Sequence, residues 1–363
     1  MERLTRAELQ ARNRARVLAA ARDEFAERGF RDAKVDAIAD RAGLTRGAVY
    51  SNFPGKRALY FSVLADLAER EAGHDGADLP ATGASGVVTA REALAAFARA
   101  WVSRLPLATD QPSRLGMDLM PEVLADQRVR LPFAQLMTLN AIVFGLALER
   151  LDAAADTSGR RRVRIAQTAL TTLHGASQMA DAAPGFAEPF DVVAACAALA
   201  DLDLGDRWDP PHLSFVPRAR PADDPWSPPP AVDALRGEPA PLECDGVVAV
   251  LGLHRLGAVE EAVRAVPPGG EVTAVLVTGD PGELGPLARL TLAGLRTCLR
   301  PAMPASAWPR LRVVHDEDGA VAAAAGVTAV SDGTEAAVLV RSGRVVARAE
   351  GWGACHAAAS AES

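Results

Sequence analysis

Of the 39 Lys and Arg residues in this 363-residue chain, 13 fall in the first sixty positions, against only 8 Asp and Glu. That local balance of +5 sits on a chain of formal charge −7, which leaves −12 for the remainder. A clustered excess of cations does its chemistry by attraction, holding polyanionic phosphate without reacting with it. Other chemistries lack their parts. The four cysteines, Cys196, Cys244, Cys298 and Cys355, are scattered, without the paired spacing of a zinc site or a disulfide framework. No Ser/His/Asp constellation for hydrolysis is recognisable, and no metal or cofactor is expected. A pairing of Cys244 with Cys355 is the one thiol alternative left open.

The elements that would present the basic residues can be read from capping and periodicity. Thr5-Arg6-Ala7-Glu8 forms a capping box that opens a long helix. Val17, Ala21 and Phe25 give it one apolar stripe, and Gly29 stops it. Val35, Ile38, Ala39 and Ala42 face inward on a short second helix that ends at Gly43. Thr45 then caps a third, running to about Asn52, and a fourth begins near Lys56 with Leu59, Val63 and Leu67 as its stripe. Two short helices across a glycine turn are the pattern of a helix-turn-helix.

The run Gly29-Phe30, Val35, Ile38-Ala39, Ala42 to Tyr50, Phe53, Lys56 and Leu59 resembles the DNA-binding domain of the TetR family over about residues 12–65. The resemblance implies that Arg46, Gly47 and Ala48 open the recognition helix, where N-terminal residues meet base edges. Arg46 suits a bidentate pair with guanine, and the two small residues let the backbone approach. Thr45 caps that helix, Tyr50 and Lys56 match phosphate-holding positions, and Ser51 and Asn52 are polar candidates on the exposed side. One departure stands out: Lys34 occupies the place where the family usually has a capping Ser or Thr. A lysine cannot cap, but it binds phosphate as a point charge. Arg12, Arg14 and Arg16 are further phosphate candidates on the first helix.

Four regions are expected: a helix-turn-helix at 1–55, a helical ligand-binding and dimerisation domain at 56–205, a Pro-rich linker at 206–241, and an α/β domain at 242–355. Gly73 to Gly86 is a polar connection, and Thr89-Ala90-Arg91-Glu92 is a second capping box. Helical stripes follow at 122–130, 133–152, 159–181 and 188–203. The family resemblance implies that the last two pair with a second copy, so that a dimer reads a palindromic operator one DNA turn long. It also implies an effector pocket among the middle helices, with Trp101, Met117, Met120, Leu136, Asn140, Phe144 and His174 as candidates. Few charges lie on Phe133–Leu148, which favours an apolar or aromatic effector.

Ten of the 25 prolines lie between Trp208 and Pro241, which predicts a stiff, extended linker. Trp208, Phe215 and Trp226 are placed to staple it to a surface. Beyond it, strands at 247–251, 272–278 and 311–314 alternate with helices at 258–266, 283–299 and 319–325. A hairpin across Ser342-Gly343 closes the order. This is a three-layer α/β pattern that resembles thioredoxin-like and peroxiredoxin-like domains in Val313 to Val327 and Val338 to Val346. The Cys-x-x-Cys of redox members is replaced by Gly252-Leu253-His254-Arg255-Leu256-Gly257, so no thiol activity is expected.

The reading is therefore a multidomain chain, all-α and TetR-like followed by α/β and thioredoxin-like. It describes a dimeric, effector-released repressor and not an enzyme. The alternatives are a thiol-redox or hydrolytic enzyme, or a protein-interaction module, fused to a DNA-binding domain. The first residues are charged, unlike a secretory leader, and no uninterrupted apolar run exceeds the nine residues of Val192–Ala200. A cytoplasmic location without a membrane is expected.

Overall fold

Both capping boxes form. In the computed structural model, which describes residues 5–74, 88–105, 114–154, 160–210 and 218–361, Thr5 Oγ accepts the Glu8 amide at 3.2 Å while Glu8 accepts the Thr5 amide at 2.7 Å. They open α1 (Arg6–Asp32), which bends at Gly29, where φ is 74°. The chain continues through α2 (Val35–Ala42), α3 (Arg46–Tyr50), α4 (Lys56–His74) and α5 (Ala90–Val102), the last opened by Thr89 and Glu92. Then come α6 (Arg114–Met117), α7 (Leu119–Ala125), α8 (Gln127–Ala154), α9 (Val163–Ala182) and α10 (Pro189–Ala198). The expected connection at 73–86 lies mostly outside the described residues, as do Phe215 and residues 1–4.

The segment expected to be a linker is largely part of a sheet. It contains β1 (Arg220–Pro225), β2 (Ala231–Asp233) and β3 (Glu238–Ala240). They join β4 (Gly246–Gly252), α11 (Val259–Ala265), β5 (Val272–Val277), α12 (Leu284–Ala302), β6 (Leu311–His315), α13 (Ala320–Ala324), β7 (Glu335–Arg341), β8 (Arg344–Glu350) and α14 (Ala354–Ala359). The sheet order is β1-β8-β7-β4-β5-β6-β2-β3, with β4, β5 and β6 parallel and the remaining pairs antiparallel. Proline lacks the amide that a central strand must donate, but an outermost strand needs only one bonded edge. Accordingly Pro221, Pro225 and Pro239 sit on β1 and β3, the two rims. Trp226 is buried and donates from Nε1 to the Leu242 carbonyl at 2.7 Å, whereas Trp208 lies under the Arg161 guanidinium at 5.9 Å.

Alternation divides the sheet's side chains between two cores. Val248, Val250, Val275, Val277, Val338 and Val340 face one way, covered by α13 residues, Trp226 and Leu242. Val247, Ala249, Leu251, Ala274, Leu276 and Leu339 face the other, in one continuous core with α12, α14 and the N-terminal helices. Strands covered on both faces read as unbroken apolar runs, which is why β4 and β5 were legible.

The continuous core means that the α/β region is not a separate appendage. Helix α12 lies along α4 and α5 and also meets α8. Helix α4 is consequently buried at every position from Ala58 to Ala65. Ion pairs cross the seam: Arg264 reaches Glu149 at 2.6 Å, Arg161 reaches Glu260 at 2.6 Å, and Arg289 reaches Glu69 at 3.3 Å. Gln127–Ala153 is long and apolar enough to cross a membrane, contrary to the expectation from uninterrupted runs. Yet 67% of its apolar window is buried inside the protein, as in a core helix.

His315 ends β6, where burial, with Arg289 adding repulsion, pushes its imidazole from 6.5 down to about 4. Between those values the unfolded chain binds a proton that the folded chain refuses, so stability is lost as pH falls. Roughly 1–2 kcal/mol should disappear between pH 7 and pH 5 through this group. Urea midpoints at the two pH values check it: the loss should be smaller in His315→Gln than in the parent.

Candidate nucleic-acid interface and ligand cleft

The turn between α2 and α3 is built by two residues. Gly43 takes the left-handed conformation, φ 59°, and its amide bonds back to α2. Thr45 Oγ then accepts the Ala48 amide at 3.2 Å and starts α3. Val49 and Phe53 are buried below, as their stripe requires. Thr45, Arg46, Gly47 and Tyr50 are exposed, and Ala48 is half-buried. Arg46 points from the helix start with a side chain 60% exposed, paired with Asp36 at 3.2 Å and lying 5.6 Å from the Tyr50 ring centroid. An exposed pair of this kind contributes at most about 1 kcal/mol, so Arg46 is readily released to another acceptor. A Cβ at Gly47 would meet only Thr45 Oγ at 3.9 Å.

The remaining predicted residues serve the turn as well as the surface. Ser51 Oγ and Asn52 Nδ2 both donate to the Ala48 carbonyl, at 2.9 and 2.8 Å, and close the end of α3. Lys56 donates to the Arg31 carbonyl at 3.0 Å with its ammonium 4.7 Å from the Phe30 ring centroid, so one of its three donors is committed to the α1–α4 corner. Lys34 is exposed at the N-cap of α2 without a side-chain cap. The buried Glu24 carboxylate instead accepts the Lys34 amide at 3.4 Å. Arg14 and Arg16 brace the motif: Arg14 donates to the Asn52 carbonyl at 3.0 Å and covers the Phe53 ring at 4.4 Å, while Arg16 reaches the Gly43 carbonyl at 3.4 Å.

A cleft of ≈ 690 Å³ opens between α7, α8 and α9, lined by Met120, Phe133, Met137, Thr138, Gln167, Leu170, Thr171, His174, Gly175 and Gln178. Of the seven predicted ligand residues, Met120 and His174 belong to it. Trp101 stands behind, its ring 4.7 Å from His174, with Nε1 donating to Ser177 Oγ at 2.9 Å. The other four lie elsewhere. Leu136 and Phe144 are fully buried core, Phe144 stacking on Phe97 at 4.3 Å. Asn140 is buried and donates to the Thr291 carbonyl of α12 at 3.4 Å. Met117 is 39% exposed on the surface. Helical spacing marks an inward face but cannot say which inward residues meet a void and which meet another helix. Burial pushes His174 below the usual imidazole range. Among the described residues, no charged side chain lines this cleft.

Cleft and helix-turn-helix are mechanically connected, a link without a signal in the sequence. Asp118, two residues before Met120, accepts the Phe30 amide just past the Gly29 bend at 2.7 Å. The Tyr60 hydroxyl of α4 donates to the Leu115 carbonyl of α6 at 2.6 Å.

Residues 17–63 match the family described as bacterial regulatory proteins, tetR family. Over 58 residues the chain is 41% identical to an uncharacterized HTH-type transcriptional regulator, YdgC, of Bacillus subtilis, covering 16% of this chain and 30% of that one. Over 65 residues it is 46% identical to the HTH-type transcriptional regulator SrpR of Pseudomonas putida, covering 18% and 30%. The chain thus spans under a third of the length of these two relatives. Among solved structures, the transcriptional regulator FadR of Bacillus subtilis in complex with stearoyl-CoA aligns at 18% identity and TM-score 0.36, over 51% of this chain and 96% of that one.

Proposed function

We propose that this chain, whose residues 17–63 are a DNA-binding domain of the TetR type, is a cytoplasmic, ligand-responsive transcriptional regulator, most simply a repressor. The observation that carries this reading is the Thr45-capped start of α3, which presents Arg46, Gly47, Ala48 and Tyr50 to solvent. Arg46 reads a base, and Lys34, Tyr50 and the free donors of Asn52 and Lys56 hold phosphate, joined by Ser51 when its hydroxyl turns from the Ala48 carbonyl. A homodimer through α9 and α10 gives the two-fold reader. It is supported by the absence of any charged residue from Ile165 to Ala180, and by Phe186 and Phe190 at 75% and 82% exposed.

The effector is a small apolar or aromatic molecule held in the uncharged cleft. Its entry displaces Met120 and hence Asp118, which grips the end of α1, so the head moves and the operator is released. The α/β region is read as thioredoxin-like because β4 lies between parallel β5 and the antiparallel β7–β8 hairpin. Burial pushes the Cys196 thiol up to about 11 and the Cys355 thiol well up from 9.0, which holds these two away from the reactive thiolate.

Selection from random duplexes should yield a palindromic site. Arg46→Ala should weaken binding to it by roughly 10- to 100-fold, the scale of one bidentate base contact, with unchanged circular dichroism. Undiminished sequence-specific binding by Arg46→Ala would refute the assignment.

A further inference from the structure

The α/β region touches the helix-turn-helix itself. Gly282, in the loop between β5 and α12, packs so closely on Pro54 that a Cβ there would lie 2.9 Å from Pro54 Cγ. Pro54 belongs to the turn that joins α3 to α4. Next to it, Arg57 Nε meets Glu283 Oε1 at 2.6 Å, while Arg57 Nη2 meets Asp126 Oδ2 at 2.7 Å. All three side chains are less than a third exposed. One guanidinium on α4 therefore joins the α7–α8 junction to the start of α12. Planar, many-donor geometry makes Arg suited to bridging two carboxylates.

The loop carrying Glu283 is itself held by the sheet. The Glu283 amide donates to Asp280 Oδ1 at 3.2 Å, and the Asp280 amide to Thr278 Oγ1 at 3.1 Å. Thr278 Oγ1 donates to Asp332 Oδ1 at 2.6 Å, and the Asp332 carbonyl accepts the His254 amide at 2.8 Å. A chain of bonds thus runs from the loops at the ends of β4 and β5, and from the loop that enters β7, to Arg57 in the first turn of α4, seven residues beyond the recognition helix. Farther along α4, Arg289 of α12 pairs with Glu69 at 3.3 Å, and Arg300 donates to the Ala72 carbonyl at 3.4 Å.

From this geometry we infer that Arg57 and Glu283 are positioning residues for the recognition helix, and that the 278–283 loop of the α/β region sets the angle of the reading head. The inference rests on the DNA-binding reading but concerns a different part of the chain. The head is steered from two sides, by Asp118 at the end of α1 and by Glu283 at the start of α4. The α/β region is a second lever on DNA binding, and Asp126 ties it to the α7 and α8 walls of the cleft.

The full-length protein supplies the test. Cys244 is the one exposed cysteine among the described residues, and Asp40 is exposed on α2. Spin labels on Cys244 and on an Asp40→Cys substitution report the distance between sheet and head without DNA. Glu283→Ala should broaden or shift that distance distribution, and lower affinity for the selected duplex by roughly 3- to 10-fold, the scale at which residues outside a binding surface modulate it. Glu283→Gln, which still accepts an Arg57 N–H, should return both toward the parent. A fall in melting temperature with unaltered distances and affinity would overturn the positioning role and leave a merely structural ion pair. The two readings fail separately: unaltered distances in Glu283→Ala with binding abolished by Arg46→Ala would sink only the positioning role. Undiminished specific binding by Arg46→Ala would sink the DNA-reading assignment whatever the distances show.

Discussion

A chain ended after Leu204 is expected to be recovered as aggregate, not as a folded helical regulator. Helix-turn-helix regulators built from the helical part alone would lead one to treat residues 205–363 as dispensable. Here α4 is buried all round from Ala58 to Ala65 because α12 covers the side that α1 does not. Truncation removes α12 with its buried Leu284, Leu287, Leu292, Leu295 and Leu299 and uncovers the apolar faces of α4, α5 and α8 on which that helix packs. At about 1.5–3 kcal/mol for each fully buried leucine, the lost burial is comparable with the ~5–15 kcal/mol that holds a domain together. An exposed apolar groove of that size also favours association. Expression of residues 1–204 with size-exclusion chromatography checks this outcome. A monodisperse helical fragment with a cooperative melt would show that the two regions are independent.

Gly145→Ala is the single substitution expected to be most damaging to the bundle. Gly145 lies where α8 crosses the start of α9, and a Cβ would come within 2.6 Å of Val163 Cα and 2.8 Å of its amide nitrogen. Backbone cannot yield as a side-chain tip does, so the helices must separate. Overpacking of this kind costs about 1–3 kcal/mol, even though alanine gains close to 1 kcal/mol in helix propensity. Gly175 on α9 is the internal control, since its Cβ would meet nothing within 4 Å. Gly175→Ala should be neutral or stabilising. Urea denaturation of both variants decides it, and equal effects would refute the close-crossing explanation.

Much of the chain was legible because the signals are local. Thr5 with Glu8, Thr89 with Glu92, Gly43 and Thr45 act within a turn of their own positions, and they start or end helices as read. The apolar runs of β4 and β5 were equally plain. The strands of 220–240 were missed because three of their prolines sit at positions allowed only on a rim, and whether a strand is a rim depends on its neighbours. The same limit governed the cleft. Phe144 and His174 carry the same helical signal, yet Phe144 faces Phe97 in the core while His174 faces a void.

Local chemistry along the chain specifies a basic helix-turn-helix with Arg46 at the start of its third helix, an amphipathic bundle, and an alternating α/β segment. Tertiary structure alone decided how these pieces combine. It placed α12 against α4, gave Arg57 the carboxylates of Asp126 and Glu283, and turned the proline-rich segment into the sheet's two rims. The physical reason is that an apolar stripe states only that a face must be covered. Which face covers it, more than two hundred residues away, is settled by packing and by the desolvation of the charges at the seam.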